Sequence, residues 1–150
     1  MKDSQIVAAF VGISVAIWLL LALAIFLLPT MGYPRSIVYP LQAHPVALVM
    51  AAFPLISIYV KKTDQPVTYR RALKLSVLAL VFLLPLYVLS DSLNIYALVS
   101  ALDAADAIPQ GQRNYIIYTP RGIGLTIFGT LLGLGYVFPA QVKVRQRAVA

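Results

Sequence analysis

IVAAFVGISVAIWLLLALAIFLL, residues 6–28, carries no ionisable side chain. As a helix, a stretch of this length rises about 35 Å, more than the roughly 30 Å hydrocarbon core of a bilayer. A cleaved signal peptide has a shorter apolar region of about 7–15 residues behind a basic start. Here the start offers only Lys2, opposed by Asp3. The stretch is therefore expected to be retained as a first membrane span, closed by Pro29.

Three further apolar stretches follow outward from it. Residues 41–60 lie between Tyr39-Pro40 and Lys61-Lys62. Residues 73–89 follow a polar connection, in which the Thr68 hydroxyl is placed to cap the next helix. Residues 122–137 precede Pro139, which is expected to end the fourth span and leave a basic tail. Pro54 and Pro85 fall inside the second and third spans. Prolines are tolerated there, because neighbouring groups can satisfy the freed backbone. Between spans three and four, residues 93–107 have helical periodicity, with Ile95, Leu98, Val99 and Leu102 on one face. This segment is too short and too acidic to cross. It reads as a helix at the interface, or as an extension of the third span. Pro109-Gln110-Gly111-Gln112 reads as a turn. The expected fold class is an all-α integral membrane bundle of four transmembrane helices with a short interfacial helix, forming one polytopic domain over residues 1–150.

Composition agrees with this reading. The 150 residues are 61% hydrophobic and 11% charged, with a mean hydropathy of +0.85. An ordinary soluble domain is about 25% charged, and its surface needs those charges. The absence of cysteine excludes disulfides, thiolate metal sites and thiol nucleophiles within the chain. All five acids are Asp, and none falls within a span. Proton-coupled carriers normally hold an ionisable group inside the membrane. No nucleotide, metal or hydrolase motif is present: Gly122-Ile123-Gly124 lacks the third glycine and the preceding strand of a dinucleotide fingerprint.

The formal net charge is +7. In a membrane chain the usual source is its cytoplasmic loops, not nucleic-acid binding. Four spans place both termini on the side of the loop between spans two and three. That side holds Lys2, Lys61, Lys62, Arg70, Arg71, Lys74, Lys143, Arg145 and Arg147; the other holds Arg35, Arg113 and Arg121. The asymmetry predicts cytoplasmic termini. Tyr33, Tyr39, Tyr96, Tyr115 and Tyr118 then gather at the outer interface as an aromatic belt. Lys61, Lys62, Arg70, Arg71 and Arg121 are the candidates for lipid headgroup contact.

Two stripes of small residues stand out. Gly129 and Gly133 form a GxxxG pair in the fourth span, and Ala8, Gly12 and Ala16 repeat the same spacing in the first. Such stripes let another helix approach closely. A bundle can satisfy one of them internally, leaving the other for a partner; the Gly129–Gly133 face is expected to be that interface, with the Ala8, Gly12 and Ala16 stripe as the next candidate. His44, next to Pro45, is the one candidate cofactor residue: its imidazole can ligate haem or a chlorophyll magnesium, or donate to a quinone carbonyl. The more economical reading is an interfacial histidine satisfied by water or backbone. By elimination, the sequence points to a non-catalytic accessory subunit of a larger membrane complex, with respiratory or other electron-transfer assemblies as its home and no cofactor of its own. Other integral membrane subunits and lipids are the expected partners. A small channel or permease using the kinked spans is the alternative, and a cofactor-contacting subunit built on His44 the second.

Overall fold

The computed structural model describes residues 1–27, 43–63, 65–103 and 120–149. Among them the fold is entirely helical: α1 (Asp3–Leu27), α2 (Ala43–Lys62), α3 (Tyr69–Asp103), α4 (Pro120–Thr130), a π-helical segment (Leu131–Val137) and α5 (Phe138–Val149). The last three run on from one another as a single rod. Four stretches of these helices are long and apolar enough to cross a membrane: Asp3–Leu21, Pro45–Lys62, Tyr69–Leu89 and Gly122–Arg147. A helix meets this demand because every interior backbone group bonds within the segment, and no hydrocarbon-facing N–H or C=O is left bare.

Local chemistry sets the starts. Lys2 N–H donates to Gln5 Oε1 at 3.1 Å, the reciprocal half of a capping box. The acid of Asp3 sits in the first turn of α1, where the helix dipole favours negative charge. Thr68 caps α3 as expected: Arg71 N–H donates to its Oγ1 at 3.3 Å. Lys61 and Lys62 end α2, where the dipole favours cations.

Around the bundle the order is α1, α2, fourth rod, α3, so that α2 and α3 are diagonal although consecutive. Each helix turns one face inward. Ile6, Val7 and Phe10 of α1 meet Leu48, Ala51, Leu55 and Tyr59 of α2, Leu75 and Ala79 of α3, and Leu134 and Phe138 of the rod in one continuous core. The opposite faces carry large exposed apolar side chains, among them Leu20, Met50, Phe82 and Phe128. In water such a surface would aggregate; against acyl chains it is matched.

Two boundaries differ from the sequence expectation. The segment at 93–107 takes the second of its two readings, an extension of the third span, with no separate interfacial helix shown: α3 continues unbroken to Asp103 over 35 residues. No glycine or proline occurs between Pro85 and Pro109, so nothing interrupts the hydrogen-bond ladder. At about 1.5 Å per residue this helix is about 52 Å long and exceeds the hydrocarbon core. Residues 104–107 lie outside the described residues, as do the expected stop at Pro29, the turn at Pro109–Gln112 and the tyrosines at 33, 39, 115 and 118.

Pro139 also fails to end the fourth span, and the basic segment after it is helix, not tail. The reason lies just before it. At the end of the π-helical segment, Phe138 N–H donates to Gly133 O, five residues back. A proline is hostile to a regular α-helix because it lacks an N–H and crowds the carbonyl four residues earlier. Here the ladder has already slipped out of the four-back register, and the residue four back is Gly135. The π segment also corrects phase. Buried positions recur every four residues at Thr126, Thr130, Leu134, Phe138 and Val142. In a regular α-helix a four-residue repeat drifts about 40° per step. A wider turn rotates less per residue and takes up that drift, keeping the stripe on the core.

Candidate functional site

Two faces of small residues and one basic end are the features from which a function can be built. The first face is the Gly129–Gly133 pair, and α2 occupies it. A Cβ on Gly129 would lie 3.2 Å from Pro45 O and 3.2 Å from Leu48 Cδ1; one on Gly133 would lie 2.6 Å from Leu48 O and 3.3 Å from Val49 Cα. The two glycines therefore admit the α2 main chain itself, and dispersion contacts accumulate over the close approach. This face is used within the chain, where the spacing alone suggests another subunit.

The second face is open. Ala8, Gly12 and Ala16 are all exposed, and a Cβ added to Gly12 would meet nothing within 4 Å among the described residues. Farther along the same side of α1, Leu19 and Leu23 are more than half exposed.

The basic end is where chain segments far apart in sequence converge. The N-terminal ammonium of Met1 donates to Thr63 Oγ1 at 2.8 Å. Arg71 reaches Asp3 Oδ1 through Nε at 2.8 Å and through Nη2 at 2.5 Å, and its Nη2 also donates to Met1 O at 3.4 Å. Gln146 Nε2 donates to Gln65 O at 3.2 Å, and Arg145 Nη1 to Ser57 Oγ at 2.8 Å. Beneath them the fully buried Tyr59 donates to Gln65 O at 3.1 Å and stands edge-on to Phe138, with ring centroids 5.4 Å apart. The N-terminus, the 63–68 connection and the C-terminal helix thus share one end of the bundle. Lys61, Lys62 and Arg70 are exposed there and Arg71 is half-buried. The Arg71–Asp3 pair is partly solvated, so its worth is about 1 kcal/mol or less. It also sets an acid against Arg71 at the start of α3, where the helix dipole disfavours a cation.

Polar groups inside the bundle are mostly turned back on their own helices. Ser76 donates to Ala72 O, Thr126 to Gly122 O and Thr130 to Thr126 O, at 3.0, 2.8 and 2.8 Å. The buried Ser14 Oγ has no hydrogen-bond partner among the described residues. His44 falls in the first turn of α2 and Arg121 in that of α4; their side chains lie outside the described residues.

Charge counting found Lys61, Lys62, Arg70 and Arg71, and glycine spacing found the notch. Sequence reasoning missed Tyr59, the contact of Arg145 with Ser57 and the contacts of Met1. Their partners are separated by as many as 88 positions, and no local pattern marks them. No protein-family model, no curated protein and no solved structure matches the chain.

Proposed function

We propose that the chain is a non-catalytic integral subunit of a larger membrane complex, with a respiratory or other electron-transfer assembly as its home. The observation that supports this reading is the unoccupied small-residue face of α1 beside the occupied one of the rod. Gly12 has open space where Gly133 has a neighbouring backbone. Lipid supplies no hydrophobic drive between helices, so association in a bilayer depends on close fit, and a face of small residues provides it. The electron-transfer home is inferred by class: such assemblies contain small helical subunits without catalytic groups of their own.

The test is purification in mild detergent, identification of co-migrating chains and a visible spectrum of the preparation. The reading expects integral partner chains, at least one bearing a redox cofactor. Protein that migrates alone, or as a pure homo-oligomer that conducts solute in liposomes, replaces this reading with a channel.

The nine-to-three distribution of Lys and Arg supports a cytoplasmic location for the basic end, and so for both termini. Cysteines introduced at Gln65 and Gln110 report on this through an impermeant thiol reagent applied to intact cells. Position 110 is expected to label and position 65 to stay dark. The reverse pattern inverts the topology.

A further inference from the structure

The outer side of α2 has an order that neither the small-residue faces nor the general positive charge explains. Val46, Met50 and Phe53 are 46–49% exposed and follow one another at helical spacing. The same line continues through Ser57 to Lys61, one turn apart. Arg145 arrives from α5 and donates to Ser57 Oγ at 2.8 Å. Ser57 directs its own proton to Phe53 O at 3.3 Å, which leaves its oxygen free to accept from Arg145. A guanidinium has five N–H donors in a planar fork that matches phosphate. One of them is held by a neutral hydroxyl, which positions the group and, among the described residues, leaves its charge without a counter-charge. The one ion pair among the described residues, Arg71 with Asp3, lies elsewhere at this end.

We propose that this line seats one anionic phospholipid, its phosphate held by Arg145 and Lys61 and an acyl chain lying along Phe53, Met50 and Val46. Length favours a lipid over a free phosphate. From Ser57 to Val46 the helix rises about 16 Å, and one leaflet contributes about 15 Å of hydrocarbon. Charge favours an anionic headgroup, because each juxtamembrane cation near an anionic lipid surface adds attraction. The position suits the chemistry: the cations stand where apolar helix surface gives way to the polar connection at residues 63–68.

The full chain, purified in detergent, is titrated with diacyl phosphatidylglycerol or with phosphatidylcholine of the same acyl length, and retained lipid is counted by native mass spectrometry. One phosphatidylglycerol is expected to be retained in preference to phosphatidylcholine. Arg145→Gln and Lys61→Gln should each lower its occupancy by about fivefold. Lys74→Gln removes the same charge on the diagonal helix and should leave occupancy unchanged. Short-chain dihexanoyl phosphatidylglycerol should bind weakly, and millimolar inorganic phosphate should not displace the diacyl lipid. Circular dichroism of each variant verifies the helical fold. Equal retention of the two lipids overturns the proposal. So does a loss with Lys74→Gln as large as with Arg145→Gln, which would mean diffuse attraction only. Displacement by inorganic phosphate would make the site an anion site without a lipid.

Discussion

The two small-residue faces have the same four-residue spacing and opposite fates. Gly133 holds the backbone of α2 at closer range than a side chain would allow and Gly129 leaves it only a tight fit, while Gly12, between exposed Ala8 and Ala16, has no neighbour among the described residues. Spacing alone does not distinguish them. What does is the rest of each helix. In the rod, Thr126, Thr130, Leu134 and Phe138 put the core on the glycine side. In α1, Ile6, Val7 and Phe10 put the core on the side away from Gly12. A small residue on the core side closes the bundle. One on the other side leaves a smooth surface for something outside the chain.

The largest expected effect comes from filling the occupied face. Gly133→Leu drives side-chain atoms into the Leu48 carbonyl, which as main chain of a packed helix cannot rotate away. It is expected to destabilise the bundle by about 3 kcal/mol, the upper range for overpacking, read as a lower midpoint in denaturant titration of detergent-purified protein. Gly129→Ala meets Leu48 and Pro45 at 3.2 Å, where a few tenths of an ångström of yielding suffices, and is expected to cost about 1 kcal/mol. A Gly133→Leu midpoint equal to wild type would mean that α2 does not rest on this face. Gly12→Leu is expected to have the smallest effect on the isolated bundle, within about 0.5 kcal/mol.

Much of this architecture is legible in the sequence, because bilayer insertion reads simple quantities. Four apolar stretches give four helices long enough to span, Thr68 before a helical run gives a cap, and the distribution of Lys and Arg gathers the termini with the 61–74 segment. Gly129 and Gly133 announce a close approach but not its occupant, since that depends on which helix folds back onto the rod. Pro139 misleads: a proline is a stop only where the ladder is in α-register, and the π turn before it packs against both α2 and α3. The helix at 90–103 is legible as helix from its periodicity, but its polarity, which argues against a span, leaves open whether it continues the third one. The contacts of Arg71 with Asp3 and of Arg145 with Ser57 unite residues distant in sequence, and only the folded chain brings them together.

The proposed subunit role needs the open face of α1, not the occupied face of the rod, to meet the partner. Co-purification of neighbouring subunits with wild-type and Gly12→Leu protein from membranes at matched expression, with the denaturation midpoint of each measured alongside, decides between the two faces. Gly12→Leu is expected to insert, keep the wild-type midpoint and lose its partners. A Gly12→Leu protein that keeps every partner of the wild type contradicts this expectation.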